Sequence, residues 1–156
     1  CKENTNMQQP SVKEARFNRF EISYSNGWTK GFTFLVDSNQ VYFSPKTTDT
    51  IYYGVVPDSL MRSIQSTISA ISKDSTIKSS EIYCNDCKLM SMEAVVMGDT
   101  VKLFQAEDIT PVAGKLIAQL KQYLESANQH AIPSTMSFNT RYDAVEAPPK
   151  IIKPSN

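Results

Sequence analysis

The amino-acid sequence predicts an α+β fold, in which an antiparallel β-sheet carries two helices packed on one of its faces. Residues 88–105 have the pattern of a tight β-hairpin, and short segments before them alternate apolar and polar side chains. Two longer segments instead repeat apolar residues at the helical spacing. Along the chain, strands are followed by a helix twice, so we expect two successive strands-then-helix units.

The hairpin at residues 88–105 is the clearest of the predicted strand pairs. Its Gly98-Asp99 pair suits a two-residue type II′ turn, because glycine at the first central position tolerates the positive φ that this turn requires. Pairing outward from the turn places Val96 opposite Val101 and leaves one face almost wholly apolar. That pattern is typical of an antiparallel sheet with one face on a core.

A second hairpin is predicted near the beginning of the core, around Asn26-Gly27. A strict two-residue turn there would put the apolar faces of the flanking strands out of phase. A five-residue loop at residues 25–29 keeps them in phase by pairing Ile22 with Phe32, so we prefer the longer loop. Strands are predicted at residues 19–24, 32–36, 41–43, 51–55 and 77–83.

Two amphipathic helices are predicted between and after these strands. The first covers residues 58–72, and the second begins with an N-cap at Thr110 followed by Pro111 in its first turn. We expect Asn128 to end the second helix in a left-handed conformation. The apolar stripes consist of Leu60, Ile64, Ile68 and Ile71 in the first helix, and Val112, Leu116, Leu120 and Tyr123 in the second.

Length and composition limit the classes of function. With 156 residues, 40% of them hydrophobic, the chain fits one domain with tails. Basic and acidic residues number 16 each and are dispersed, so we expect no nucleic-acid partner. No apolar run approaches the ~18 residues that a membrane helix needs. The sequence contains no glycine-rich phosphate loop, and we expect no cofactor.

The chain opens with Cys1, followed by polar residues without periodicity up to residue 16. In this opening it resembles a mature bacterial lipoprotein, in which the signal peptide is cut immediately before a cysteine that then carries lipid. The resemblance implies acylation of Cys1 and attachment to an outer membrane, on its periplasmic or cell-surface face. An arbitrary chain boundary is the alternative.

The order of hairpin, helix, second hairpin and closing helix, together with Ser25-Asn26-Gly27, resembles a family of small bacterial lipoprotein domains of unknown function. The resemblance covers about residues 17–126 and implies no catalytic residues. The predicted organisation is therefore a lipoprotein tether (residues 1–16), a single α+β domain (17–126) and an extended C-terminal tail (127–156).

The motif at residues 84–87, Cys-Asn-Asp-Cys, is the one arrangement with reactive side chains. Acylation of the first residue would leave Cys84 and Cys87 to pair, and a four-residue turn brings its ends within disulfide range. A redox pair needs its first cysteine at a helix N-terminus, whereas strand patterns flank this motif. A zinc site needs two more ligands, and the candidates are Asp86 and the distant His130. We favour a structural disulfide and expect no metal.

The C-terminal segment differs from an ordinary polar tail. Met136, Phe138 and Tyr142 lie on one face of a potential strand, and prolines bracket Ile151-Ile152. Because both helix stripes are needed for the core, these side chains require another surface. They could add an edge strand to their own sheet, or bind a partner protein by strand addition or wrapping.

Together these inferences predict a non-enzymatic, lipid-anchored envelope protein that acts as an accessory or scaffolding subunit of a membrane protein complex. Its partners would be the lipid bilayer, through acylated Cys1, and an outer-membrane or envelope protein complex. An immunity or inhibitor lipoprotein that blocks a toxin or hydrolase is the alternative, and a pronounced acidic or aromatic concave face would favour it. A thiol-redox enzyme that uses Cys84 and Cys87 is a weaker alternative.

Overall fold

The computed structural model describes residues 16–26, 31–37, 39–45, 50–81, 86–133 and 136–140. Within them it confirms the α+β class, with an antiparallel sheet and two helices packed on it. The strands are β1 (Phe17–Ser25), β2 (Phe32–Asp37), β3 (Val41–Pro45), β4 (Ile51–Val55), β5 (Leu89–Val96), β6 (Asp99–Ala106) and β7 (His130–Ile132), and the helices are α1 (Asp58–Lys73) and α2 (Pro111–Ser126).

All described strands join in one seven-stranded sheet with the order β6-β5-β1-β2-β3-β4-β7. Strand β1 pairs with β2 of its own strands-then-helix unit on one side and with β5 of the second unit on the other. The two units therefore share a single sheet. Both helices pack on one face of it. The opposite face, to which Glu21, Leu35 and Glu93 belong, is called the second face below.

The core lies between the two helices and the first face of the sheet. Phe34 and Tyr42 stack at its centre, with ring centroids 5.0 Å apart. Gly54 is needed beside this stack, because a Cβ there would lie 2.6 Å from Cε1 of Tyr42. The predicted helix stripes contribute the opposing layer. Core residues include Phe20, Ile22, Val36, Leu60, Ile64, Ile68, Ile71, Met90, Met92, Leu116 and Leu120.

The register between β1 and β2 differs by two residues from the predicted one. Ile22 pairs with Phe34, and Phe32 pairs with Tyr24, so the connection is longer than five residues. Gly31 allows this connection to return closely to β1, because a Cβ there would lie 2.0 Å from the carbonyl oxygen of Tyr24. The side chains keep their predicted faces, since they alternate along a strand with a period of two.

The predicted type II′ turn at Gly98-Asp99 is wrong. Val96 pairs with Asp99 and not with Val101, which makes Met97 and Gly98 the two central residues of the turn. Their φ angles are 53° and 94°, and two positive values define a type I′ turn. The error is again two residues, so the apolar face of this hairpin is the predicted one.

Both helices begin where the sequence predicts. At the start of α2, however, the hydroxyl of Thr110 does not cap its own helix. Its N–H and its hydroxyl both donate to Oε1 of Gln105, at 2.9 and 3.2 Å. The predicted left-handed end at Asn128 is wrong, because the chain leaves α2 through an extended Ala127 and Asn128 does not have a positive φ.

Residues 77–81, which were expected to begin a strand, do not form one, and residues 82 and 83 lie outside the described part. Ser80 donates its N–H to the carbonyl of Phe104 at 2.7 Å. The hydroxyl of Ser79 accepts a hydrogen bond from the N–H of Phe104, and the hydroxyl of Ser80 accepts one from the N–H of Ala106. Because side-chain oxygens replace main-chain carbonyls, no regular ladder forms, yet the edge of β6 is occupied.

At the other edge of the sheet, the segment predicted to be an extended tail (127–156) contains β7. Its three residues pair with Tyr53, Tyr52 and Ile51 of β4. The strand is short and its first two side chains are exposed, which leaves little hydrophobic pattern in the sequence. It brings the chain to the second face, where residues 136–140 lie.

Candidate functional site

The second face carries a buried polar cluster in the middle of the sheet. Glu21 and Ser23 of β1 are each 1% exposed, and Thr33 of β2 is buried beside them. They alternate with Phe20 and Ile22, so the pattern that fills the helix-side core also directs these polar groups to the second face. A buried carboxylate is costly unless it is paired and hydrogen-bonded.

Residues 136–140 cover part of this face with an apolar contact. Phe138 is 6% exposed and packs with Leu35 of β2 and Ile51 of β4. Half-buried side chains surround these three and belong to Phe43, Ile132 and Met136. The resulting cluster is separate from the helix-side core and holds the segment against the sheet.

The C-terminal end of this segment is hydrogen-bonded to Glu21. The N–H and the hydroxyl of Thr140 both donate to Oε1 of Glu21, at 2.6 and 2.8 Å. Nη2 of Arg19 donates to the other carboxylate oxygen at 2.8 Å. Both oxygens of the buried carboxylate are therefore hydrogen-bonded, and one of them fixes the position of Thr140.

Three hydroxyl groups extend this contact across two strands. Oγ of Ser23 lies 2.8 Å from Oγ1 of Thr33 and 2.8 Å from Oγ1 of Thr140. Because a carboxylate oxygen accepts but does not donate, the hydroxyl hydrogen of Thr140 points to Glu21. Thr140 can then accept from Ser23, and Ser23 can accept from Thr33. Hydrogen bonds in such a chain polarise one another.

Glu93 lies directly opposite Glu21 on β5, and facing carboxylates repel. Nζ of Lys102 on β6 donates to Oε2 of Glu93 at 2.8 Å, and Nδ2 of Asn139 donates to Oε1 at 3.0 Å. The hydrogen bond from Lys102 is the largest cause that lowers the pKa of Glu93, and the charge of Arg19 adds to it. Two cations thus compensate the two carboxylates.

The comparisons give no relative. Family models, curated proteins and solved structures were searched, and none matches this chain. The lipoprotein resemblance stays a prediction.

Two of the residues predicted to bind a partner are described. Phe138 is buried against its own sheet, and Met136 is half-buried in the same cluster. They lie across the second face and do not form an edge strand. The edge of the sheet beside β4 is occupied by β7. Tyr142, Ile151 and Ile152 lie outside the described residues, so their partner role stays a prediction.

One of the three cysteines is described. Cys87 is 6% exposed and disulfide-bonded. Cys84, its predicted partner, and Cys1, the predicted acylation site, both lie outside the described residues. The pairing and the acylation therefore stay predictions. The chain after Cys87 continues as β5, in agreement with the strand pattern on that side of the motif.

Two surface depressions lie away from the second face. A groove of about 310 Å³ between α1 and α2 has an uncharged lining that includes Ser63, Gln119 and Tyr123. A cavity of about 430 Å³ lies where the beginning of β1 meets α1, and Arg16 and Arg62 contribute to it. The two depressions therefore differ in charge.

A pair of tyrosines links β3 to α2. The hydroxyl of Tyr42 is buried and has no hydrogen-bond partner among the described residues. Burial raises the pKa of Tyr42 to about 12, and nearby Tyr123 adds to the shift. The ring of Tyr123 meets Tyr42 edge-on, and its hydroxyl donates to the carbonyl of Val55. Tyr42 thus remains protonated at neutral pH and serves as a packing group.

In the part of the chain that the structure describes, no three His, Cys, Asp or Glu side chains lie together as a metal site would require. Neither helix of that part has the length and hydropathy of a bilayer-spanning segment.

The polar cluster of the second face was not predicted from the sequence. Glu21 and Ser23 occupy alternate positions of β1, where polar side chains normally face water. The one available signal was the alternation around Phe138, which indicated that the C-terminal segment needs a surface. It did not indicate which surface, because Glu21 and Ser23, the partners of Thr140, lie 119 and 117 residues earlier in the chain.

Proposed function

We propose that this protein is a non-enzymatic, lipid-anchored accessory subunit of a cell-envelope membrane complex and that it binds its partner with the chain following Thr140. The observation that carries the partner role is the fixation of residues 136–140 on the second face. Attachment to the membrane through Cys1 rests on the lipoprotein resemblance alone.

The contact at Thr140 fixes the position of residues 136–140 more than it stabilises the domain. A buried polar network contributes little more than hydrocarbon of the same volume, but its hydrogen bonds have fixed directions. Glu21 and the hydroxyl chain therefore fix the position of Thr140, the last described residue before the proposed binding segment. A binding segment that starts from a fixed point loses less conformational freedom when it meets a partner.

Residues 141–156 have a composition that suits binding. Tyr142, Ile151 and Ile152 provide apolar surface for a partner to bury. Three prolines in the same stretch restrict φ and so reduce the entropy lost on binding. Strand addition to a sheet edge of the partner, or wrapping around it, would use these properties.

The inhibitor alternative would be favoured by an acidic or aromatic concave face. In the described residues, the larger depression carries Arg16 and Arg62 beside a single carboxylate, that of Asp58. The groove between the helices has an uncharged lining. Neither of these two depressions has the pronounced acidic or aromatic lining that would favour the inhibitor role.

Truncation after Thr140 tests the partner role. A cut after Ser126 would also remove β7 and Phe138, so it would mix loss of binding with loss of folding. The shorter truncation leaves the described contacts intact, and we expect an unchanged free energy of unfolding together with loss of co-purifying envelope protein from native membranes. Full retention of that protein would contradict the proposal.

Two controls complete the experiment. The triple substitution Tyr142→Ala, Ile151→Ala, Ile152→Ala keeps the length of the chain and should lose the partner in the same way. Mass spectrometry of the native protein tests the lipid anchor separately, since an unmodified Cys1 would exclude it whatever the outcome for the partner.

A further inference from the structure

The cavity beside α1 combines an apolar floor with a basic rim. We define the arginine cavity by its lining residues Arg16, Phe17, Gln40, Asp58, Met61, Arg62 and Gln65. Phe17 and Met61 are 3% and 7% exposed, so they form its floor. Arg16 and Arg62 are exposed and lie at the rim. Its volume of about 430 Å³ falls in the range of clefts that hold small molecules, ~300–1,000 Å³.

The two guanidinium groups have no partner in the part of the chain that the structure describes. The ion pairs there join Arg19 to Glu21 and Lys102 to Glu93, and include neither rim arginine. The cavity has one carboxylate, on Asp58, which accepts a hydrogen bond from Nε2 of Gln40 at 3.2 Å. Two cations and one anion leave an excess positive charge at the rim.

The wall opposite α1 is held in place by its backbone. Gln40 has a φ of 63°, an uncommon conformation for a residue other than glycine. Its N–H donates to the carbonyl of Asp37, and its carbonyl accepts the N–H of Val56 at 2.7 Å. Because both backbone groups are bonded, this wall is formed before any ligand arrives.

We propose that the arginine cavity binds a small amphiphilic anion, with an acidic oxygen group between Arg16 and Arg62 and a hydrocarbon part on Phe17 and Met61. A guanidinium presents a planar fork of donors that matches carboxylate and phosphate alike. A hydrocarbon group on the acid would pack against Phe17 and Met61, the apolar residues of the lining. This site is distinct from the second face and does not depend on the partner role of the C-terminal chain.

Calorimetric titration of the full-length chain with 4-phenylbutyrate, phenyl phosphate and the neutral 4-phenylbutanamide tests the proposal. Both acids should bind saturably, and the tighter one identifies the head group. The amide should bind at least about tenfold more weakly, since it cannot pair with the guanidinium groups. Affinity for the acids should fall as salt rises, because exposed charges are screened.

Substitution of the rim arginines localises the site. Arg16→Gln and Arg62→Gln should each weaken binding of the acids about fivefold, the range of exposed charge pairs, and the double variant should weaken it further. Lys73→Gln is the matched control, because this exposed lysine lies on the same helix, ~16 Å along the axis from Arg62. No saturable binding of either acid, equal binding of the amide, or unchanged affinity in the double variant would overturn the proposal.

Discussion

The helix-covered face of the sheet buries mostly hydrocarbon, whereas the second face buries a carboxylate and three hydroxyls beside a small apolar cluster. On the first face, Phe20 and Ile22 meet two long amphipathic helices. On the second, the intervening residues of the same strand, Glu21 and Ser23, meet a five-residue segment. One strand therefore serves two kinds of packing through the alternation of its side chains.

The comparison shows how each kind of contact specifies structure. Burial of hydrocarbon has no preferred direction, and it stabilises in proportion to the area removed from water. Hydrogen bonds to Glu21 have fixed directions and few acceptable partners. The first face thus provides most of the stability of the domain, while the second face determines where residues 136–140 lie. Four substitutions test this division, in order of expected effect.

The largest effect should come from Phe20→Ala on the helix-covered face. Phe20 is fully buried, and truncation of a core phenylalanine leaves a cavity that typically costs ~3–5 kcal/mol. Urea denaturation of the variant should show a loss in that range. Met97→Ala is the control, because Met97 is 86% exposed and should change stability by no more than ~0.5 kcal/mol. If Phe20→Ala lowers the free energy of unfolding by less than about 1 kcal/mol, the main core does not lie on this face.

The next effect should come from Glu21→Ala on the second face. Removal of the carboxylate leaves the hydroxyl and N–H of Thr140 without their acceptor, at an expected cost of about 2–3 kcal/mol. Glu21→Gln should cost less, since the amide oxygen can still accept from Thr140. Equal losses in the two variants would show that the ion pair with Arg19, and not the contact with Thr140, is what matters.

A smaller, more local effect is expected from Phe138→Ala. We expect about 2 kcal/mol, below the usual range for phenylalanine, because the surrounding cluster is small and the segment can detach without unfolding the sheet. Urea denaturation measures the loss, and hydrogen exchange at the amide of Thr140 should become faster. Ser137→Ala, an exposed neighbour, is the control, and a loss as large as that of Phe20→Ala would contradict a small local contact.

The smallest effect is pH-dependent and concerns Glu93. Its pKa in the folded protein is lowered from the ordinary 4.5, so it stabilises the fold above that pH, and the contribution is lost as the pH falls through the lowered pKa. Wild type should therefore exceed Glu93→Gln in stability at pH 7, by less than about 1 kcal/mol because Lys102 is 71% exposed, and lose this advantage towards pH 3. Denaturation at both pH values measures it, with Glu81→Gln as an exposed control. A difference that grows on acidification would refute the assignment.

The sequence predicted the elements of the first face well, and for a physical reason. The stripe through Ile64 and the alternation through Phe20 are local patterns, and each requires only that one side of an element be buried. Both hairpin registers were nevertheless wrong by two residues. Alternation with a period of two shows which face a side chain occupies, but it is the same for two registers that differ by two residues. The conformation of each connecting loop therefore decided the register.

The candidate site of the second face could not be predicted in the same way. Phe138 indicated that the C-terminal segment needs a surface, but β7 is too short and too exposed to leave a pattern. Glu21 is indistinguishable in sequence from a solvent-facing strand residue until Thr140 is placed beside it. The arginine cavity is similar, since Arg16 and Arg62 are ordinary surface residues until β1 and α1 bring them together.

The sequence by itself determined the α+β class, the two strands-then-helix units and the face on which each apolar residue lies, because these follow from periodicity within a few neighbouring residues. The tertiary structure alone decided the strand order, both registers, the position of residues 136–140 and the burial of Glu21. Those features depend on pairings between residues distant in the chain, and such pairings leave no local pattern to read.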